Sequence, residues 1–181
     1  MSSTLTQNHF ELFSLPQRFV LDRAGLDARY RDMQRTVHPD RYASASDQER
    51  RMSMQRATRI NEAYEVLKDP LKRGRYLLEL RGHAIEERQA SHQDTAFLMQ
   101  QMELRESIAK IREQDEPLQA LDGLAQDIRS QYGALESALA QALDGGADVE
   151  QAVTLVLRMQ FFQRLQEEVQ ALEADLEDEI Y

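Results

Sequence analysis

The sequence predicts an all-α protein, and three observations support this. The chain of 181 residues is rich in Leu, Ala, Gln, Glu and Arg, which favour helices. Only seven glycines and four prolines interrupt it. Apolar residues recur three and four positions apart, whereas no segment keeps for long the period of two that a strand requires. We therefore expect a helical hairpin with short helices at the N-terminus, followed by a three-helix bundle.

The charge is distributed unevenly along the chain. Residues 1–82 carry 15 Lys and Arg against 11 Asp and Glu, whereas residues 83–181 carry 7 against 21. A mildly basic unit is thus followed by a strongly acidic one, which suggests two surfaces with different partners. Solvated acidic helices would produce the same asymmetry, so charge alone leaves both interpretations open.

Composition also limits the chemistry and the location that we expect. The chain has no cysteine, which excludes disulfides, thiolate metal sites and thiol nucleophiles. No apolar leader precedes the polar start MSSTLTQNHF, and no run approaches the roughly twenty apolar residues of a membrane span. A soluble cytoplasmic protein is therefore the expectation.

The first long helix is predicted over about residues 22–37. Its apolar residues follow the spacing i, i+4, i+7 and i+11 of one helix face. They are Leu26, Tyr30, Met33 and Val37. Arg31 and Arg35 fall on the opposite face, so this helix combines a buried side with a basic one.

A second long helix is predicted to begin at Ser46, where SDQE forms a capping box with Glu49. Its apolar stripe consists of Ala57, Ile60, Tyr64 and Leu67. Asp69 is expected to cap a further helix with Pro70 in its first turn, and Gly82 to close that helix. These elements complete the first unit.

The second unit is predicted to follow a polar connector, HAIEERQASHQ. Three helices are expected, over about residues 94–114, 118–143 and 148–176. The break before Pro117 and the DGGAD segment at residues 144–148 are short connections. Short connections make neighbouring helices antiparallel, so we expect a compact bundle.

The segment RTVHPDRY, residues 35–42, interrupts the basic helix. Proline ends a helix because it lacks an amide proton, and it pushes the preceding residue, His38, out of helical geometry. The turn therefore presents the imidazole of His38 and the carboxylate of Asp40 at a constrained elbow, as a docking surface requires. An ordinary helix stop followed by a loop would look the same, so the HPD string alone is weak evidence.

The surroundings of this elbow resemble the J-domain family. Tyr30 stands eight residues before His38, arginines flank the elbow, and INEAYEVLKDPLKRGRYL follows at residues 60–77. The resemblance covers roughly residues 8–81. It implies a co-chaperone of a DnaK-type ATPase. Such a co-chaperone performs no chemistry itself.

The resemblance also implies which residues meet the chaperone. His38, Pro39 and Asp40 would couple docking to ATP hydrolysis, with Asp40 pairing with an arginine of the chaperone. A basic face would meet an acidic chaperone surface. Its members are Arg29, Arg31, Arg35 and Arg41. For any single arginine, a solvated helix face remains the alternative, for example through an Asp27–Arg31 pair at i, i+4.

The acidic half resembles one branch of this family. DTAFLMQQMELRESIAKI, residues 94–111, and the N-terminal FELFSLPQRFVLD are similar to the HscB type of J-protein, which serves iron-sulfur cluster assembly. No Gly/Phe-rich linker or zinc-binding cysteine repeat follows the J-domain, which argues against a general DnaJ-type co-chaperone. The missing N-terminal cysteine pair favours the bacterial form. The implied chaperone partner is HscA, and the implied scaffold partner is IscU.

We expect the chain to be a monomer with three segments. They are a J-domain over residues 8–81, a linker over residues 82–93 and a scaffold-binding domain over residues 94–181.

The helix predicted over residues 94–114 has two apolar faces. One consists of Phe97, Leu104, Ile108 and Ile111, and the other of Leu98, Met99 and Met102 beside Glu103 and Glu106. A bundle needs only one stripe from each helix, so the second face either covers the J-domain or binds a partner. The adaptable side chain of methionine favours a partner.

In the HscB family the corresponding face holds IscU, so the resemblance implies that the second face is the IscU site. The corresponding residues are Leu98, Met99, Met102, Glu103, Glu106 and Phe161. Met102 departs from the leucine that the family pattern has, a volume-conserving change. Phe161 and Phe162 lie about 100° apart on a helix, so one can lie in the core while the other meets the scaffold.

Other functions are disfavoured by the sequence. His9, His38, His83 and His92 sit in separate segments without metal-binding spacing, so neither a metal nor another cofactor is expected. There is no phosphate-binding glycine loop and no nucleophile elbow, which argues against an enzyme. The strongest competitor is nucleic-acid binding by Arg50, Arg51, Arg56 and Arg59, although the acidic half would repel phosphates.

Overall fold

The computed structural model describes residues 7–38, 45–85, 95–146 and 148–179. Every regular element within these ranges is a helix, so the predicted all-α class is confirmed. The chain divides into two compact units, Met1–Gly82 and His83–Tyr181. Among the helices of the described ranges, none has both the length and the apolar character needed to cross a bilayer.

The described part of the first unit contains four α-helices. They are α1 (His9–Leu12), α2 (Arg23–Thr36), α3 (Asp47–Lys68) and α4 (Pro70–Leu80). The central helix is α3, which packs against each of the other three. The predicted stripes face the interior: Leu26, Val37, Ile60 and Leu67 are buried, and Tyr30, Met33, Ala57 and Tyr64 are half-buried.

The helix ends of this unit follow from capping chemistry, as predicted. The carboxylate of Glu49 accepts from the Ser46 N–H at 2.9 Å, and the Ser46 hydroxyl accepts from the Glu49 N–H. Asp69 accepts from the N–H of Lys72 at 2.9 Å, with a proline in the first turn of α4. Beyond α4, Gly82 has a φ of 84°, the left-handed conformation that glycine adopts without strain.

The second unit is a three-helix bundle of α5 (Thr95–Ala109), α6 (Pro117–Gln141) and α7 (Val149–Asp178). The helix predicted over residues 94–114 is shorter in the structure. It ends as α5 at Ala109, and a 3₁₀ turn, Ile111–Glu113, follows. Such a turn continues the spacing of i, i+3, so periodicity could not distinguish the two. A π-helical turn, Ala142–Gly146, closes α6.

The bundle core collects the apolar stripe of each helix. Its buried residues are Phe97, Ile108, Ile111, Leu121, Ile128, Phe161, Phe162, Leu165, Val169 and Leu176. Leu104 packs against them. The first of the two predicted faces of α5 therefore lies in the core, as expected.

Candidate protein-binding surfaces

The predicted elbow begins where α2 ends. Val37 leaves helical geometry with φ −107° and ψ 9°, and its N–H donates to the carbonyl of Gln34 at 3.3 Å. Val37 is buried, whereas His38 is exposed. Pro39, Asp40 and Arg41 lie outside the described residues. The described part of the elbow thus pairs a buried anchor with an exposed imidazole.

A serine of α3 holds the start of this elbow. The buried Ser53 hydroxyl donates to the carbonyl of Val37 at 3.1 Å. Ser53 stands one turn before Ala57 on the apolar stripe of α3, and sequence analysis did not single it out. A polar residue in line with an apolar stripe was the signal that could have identified it.

Directional contacts fix how α2 is rotated against α3. The rings of Tyr30 and Tyr64 stack with centroids 3.9 Å apart, and the Tyr64 hydroxyl donates to Asp27 at 3.1 Å. The Tyr30 hydroxyl also donates to Asn61 at 3.0 Å. Because these side chains occupy the face of α2 that meets α3, the opposite face with Arg31 is exposed.

The four predicted docking arginines differ in their surroundings. Arg31 and Arg35 are exposed on α2, and Arg35 is paired with Asp32 at 3.1 Å. Arg29 instead donates to the carbonyl of Phe13 at 2.5 Å, so it ties α2 to the segment after α1. Arg41 is outside the described residues.

The alternative interpretation of this face, a solvated helix surface, included a pair between Asp27 and Arg31 as an example. Asp27 pairs instead with Arg23, at 3.0 Å. The expected Asp27–Arg31 pair is therefore wrong.

The arginines of α3 show the same variety. Arg50 pairs with Asp47, and Arg59 donates to the backbone carbonyl of Gln7 at 3.0 Å. Two of the four cations considered for nucleic-acid binding therefore have contacts within the first unit.

The second face of α5 is exposed. Leu98, Met99 and Met102 are 47%, 59% and 72% exposed. Glu103 and Glu106 lie beside them and are exposed too. We call these five residues the methionine patch. An apolar surface with an acidic edge is suited to binding a protein partner that combines apolar and cationic groups.

An ion pair lies at the C-terminal end of the methionine patch. Lys110 Nζ is 2.5 Å from Glu106 Oε1, at i, i+4. The hydrogen bond and charge of Lys110 lower the pKa of the Glu106 carboxyl, and the same contact raises the pKa of Lys110. Sequence analysis did not identify Lys110, although the Glu-to-Lys spacing of four residues on a helix was a sufficient signal.

Phe161 is placed differently from the other predicted scaffold residues. It is 8% exposed, and its ring meets Phe97 and Phe162 edge-on at centroid distances of 5.6 and 5.5 Å. Arg105 lies over the same ring at 5.9 Å. Phe162 is buried too, so neither ring has the exposed position that the helix spacing allowed. A bundle helix packed against two others buries more than a single narrow stripe.

His9 is buried in the first unit. Its ring stacks on Tyr76 with centroids 4.2 Å apart, and its Nδ1 atom has no hydrogen-bond partner among the described residues. Burial, with a smaller effect from the charge of Arg59, lowers the pKa of His9 to about 4. No group of three or more His, Asp or Glu in the described ranges is arranged to hold a metal ion.

The packed helices α2 and α3, followed along the chain by a three-helix bundle, have the order of elements expected of a J-domain co-chaperone. The DnaJ domain model matches residues 8–76, and the model described as the HSCB C-terminal oligomerisation domain matches residues 93–170. The chain belongs to the HscB family of co-chaperones. This is not an enzyme family, and its J-domain indicates a partner of the Hsp70 (DnaK) type.

Individual proteins agree with this assignment. The chain is 48% identical over 171 residues to a co-chaperone protein HscB homolog of Burkholderia multivorans, covering 93% of this chain and 95% of the relative. A homolog from Shewanella loihica is 40% identical over 168 residues, covering 92% and 97%.

Solved structures show the same fold. Chaperone HscB from Vibrio cholerae has a TM-score of 0.84 at 36% identity, covering 94% of this chain and 99% of that structure. Human co-chaperone protein HscB has a TM-score of 0.86 at 30% identity, covering 93% and 83%. The recognised branch of the J-domain family is thus confirmed by sequence and by fold.

Proposed function

We propose that this chain stimulates the ATPase of an HscA-type chaperone and delivers an IscU-type scaffold to it, promoting the maturation of iron-sulfur proteins. The observation that carries the proposal is the presence of two unlike surfaces on separate units of one chain. One is the histidine elbow of the first unit, and the other is the methionine patch of the second.

The chaperone side is proposed to be the elbow and the basic face of α2. His38, Pro39 and Asp40 signal to the chaperone, and Arg31, Arg35 and Arg41 steer the encounter with an acidic surface. Arg29 contributes less than these, because its guanidinium is already bonded to a backbone carbonyl. The Ser53–Val37 hydrogen bond supports this proposal, since it holds the start of the elbow in one position.

The scaffold side is proposed to be the methionine patch. Burying the exposed Leu98, Met99 and Met102 against a partner would remove apolar surface from water, the main source of affinity in most protein interfaces. Glu103 and Glu106 would select a partner with cationic side chains nearby. Phe161 acts from beneath, as a support for α5, because its ring lies in the core.

The remaining parts of the proposal concern organisation. We propose a J-domain over residues 8–81, a linker over 82–93 and a scaffold-binding domain over 94–181, in a monomer that works in the cytoplasm without a cofactor. The matched family description mentions oligomerisation, so sedimentation over a range of concentrations is the direct check on the monomer.

Single-turnover ATP hydrolysis by an HscA-type chaperone tests the proposal. The reaction is measured alone, with this protein, with IscU, and with both. We expect synergy when both are present, because coupling between two sites on one chaperone makes each ligand favour the other. Stimulation of a general DnaK chaperone without any effect of IscU would contradict the iron-sulfur assignment and leave only the co-chaperone class.

Two variants separate the surfaces. His38→Gln should abolish stimulation and leave scaffold binding intact, whereas a Met99→Ala, Phe161→Ala double variant should do the reverse. Because Phe161 is buried, its loss also risks the fold, and a Met99→Ser, Met102→Ser variant avoids that risk. Met54→Ser is the matched control, since Met54 is 70% exposed but lies on α3. Loss of both activities in a folded single-surface variant would refute the division of labour.

A further inference from the structure

The two carboxylates of the methionine patch have different surroundings. Glu106 is held by Lys110, one helical turn further on, with 2.5 Å between Nζ and Oε1. Glu103 has no ion-pair partner among the described residues. Lys110 follows the last residue of α5, and its N–H still donates to the Glu106 carbonyl at 3.1 Å. The ammonium group therefore lies on the same side of the helix as the patch.

We propose that Lys110 is a specificity-determining residue of the scaffold surface: it neutralises Glu106 in the unbound protein, and the scaffold presents a cationic side chain that replaces it. This inference rests on the function proposed above. The two side chains of the pair are 56% and 64% exposed. Exposed pairs contribute little to stability, so a partner can displace Lys110 easily.

The charges around the pair favour a cationic partner group over an anionic one. Glu103 and Glu106 belong to the patch, and Glu106, with a smaller effect from Glu113, raises the pKa of Lys110. The carboxylates of Glu106 and Glu113 both act on the ammonium group of Lys110, and with Glu103 one turn before Glu106 on α5 the local field attracts cations. Arg105 lies over the ring of Phe161, and the neighbouring cation that acts on the Glu106 carboxyl is Lys110.

Lys110 therefore acts as an internal competitor at the edge of the patch. Removing it frees the Glu106 carboxylate and removes repulsion against the incoming cation. Both effects tighten binding, so the charge-removing variant gains affinity. A purely structural role for Lys110 would give no such gain.

The test is calorimetric titration of IscU into the full-length chain. Lys110→Gln should bind about two- to fivefold more tightly than the unmodified protein, and Glu106→Gln should bind more weakly. In the Glu106→Gln background, Lys110→Gln should have a smaller effect, since the two residues act through one contact. The differences should shrink in about 0.5 M salt, because the ions screen exposed charges.

Lys68→Gln is the matched control. Lys68 Nζ is 2.5 Å from Glu65 Oε1 in the first unit, so this variant breaks a similar pair away from the patch and should leave scaffold affinity unchanged. If Lys110→Gln binds IscU no more tightly than the unmodified protein while Met99→Ser, Met102→Ser still weakens binding, the inference about Lys110 is wrong and the proposed function stands. If IscU binds none of these proteins, the proposed function fails and the inference fails with it.

Discussion

Both units of the chain have a buried apolar core, but they differ in the polar contacts that join their helices. In the first, directional bonds cross between elements: Arg23 donates to the Lys68 carbonyl at 2.7 Å, Tyr30 to Asn61, and Ser53 to Val37. In the second, the helices meet mainly through a continuous apolar core, with a few polar contacts such as Gln100 to Gln131 at 2.6 Å.

This difference matches what each unit displays. Apolar burial is non-directional, whereas a hydrogen bond fixes distance and angle. An elbow of a few residues needs its start held at a defined position, and the bonds from α3 to α2 do this. A patch on one straight helix needs only that the helix is packed, which an apolar core achieves.

The largest effect is expected from opening the core of the second unit. Ile128 is fully buried in the middle of α6. Replacing it with alanine should lower the free energy of unfolding by about 3 kcal/mol, because the cavity removes both burial and contacts. Hydrogen exchange should accelerate in α5, α6 and α7 more than in α2 and α3. Equal acceleration in both units would contradict the separation, and Gln126→Ala on the exposed face is the control.

Acid should weaken the first unit selectively through His9. Its folded pKa is lowered to about 4 from 6.5, so the unfolded state binds more protons between these values. The free energy of unfolding should therefore fall by up to about 3 kcal/mol as the pH drops through this window. Below the window it should level off. Urea melts from pH 7 to 4 measure this.

A His9→Gln variant should flatten that profile. Replacement of the exposed His83 should leave it unchanged. A profile that keeps its slope in His9→Gln would show that other groups are responsible.

A smaller effect is expected from Ser53→Ala. The substitution removes the hydroxyl that donates to the Val37 carbonyl and should cost roughly 1 kcal/mol. Chaperone stimulation should fall by less than in His38→Gln, since the imidazole stays but its anchor loosens. Ser107→Ala is the matched control, because the Ser107 hydroxyl donates within its own helix, to the backbone carbonyl of Glu103 at 2.9 Å. If a destabilised Ser53→Ala protein stimulated the chaperone normally, the Ser53–Val37 hydrogen bond would matter for stability but not for stimulation.

The smallest effect should come from a polar contact of the second unit. Arg112 pairs with Glu179 at the exposed end of the bundle. Arg112→Gln should change the free energy of unfolding by no more than about 0.5 kcal/mol. A loss above about 1 kcal/mol in denaturant melts would mean that polar contacts matter equally in both units.

The sequence predicted the helices best where local chemistry decides the outcome. Capping at Ser46 and Asp69 depends on residues three positions apart, so it was readable directly. The end of α5 was missed because Ile108 and Ile111 suit an α-helix and a 3₁₀ turn equally. The contact between Ser53 and Val37 joins residues 16 positions apart, and no periodicity reports such a pairing.

The candidate surfaces were predictable to different degrees. Leu98, Met99 and Met102 were identified because a second apolar face on one helix violates the single-stripe pattern. The burial of both Phe161 and Phe162 could not be predicted from spacing, because two adjacent aromatic residues can both be buried when a helix has two packing partners. Helix spacing gives the direction of a side chain but not how much of the circumference its neighbours cover.

The exposed methionines also make the second unit sensitive to oxidants. Met99 and Met102 expose their thioether groups to water, and peroxide converts such groups to sulfoxides, which are polar and chiral. The change would turn the apolar surface of α5 into a polar one without disturbing Phe97 or Ile108 beneath it. Because reductases reverse this step, the redox state of the surroundings would set how much of the protein is able to engage the proposed scaffold.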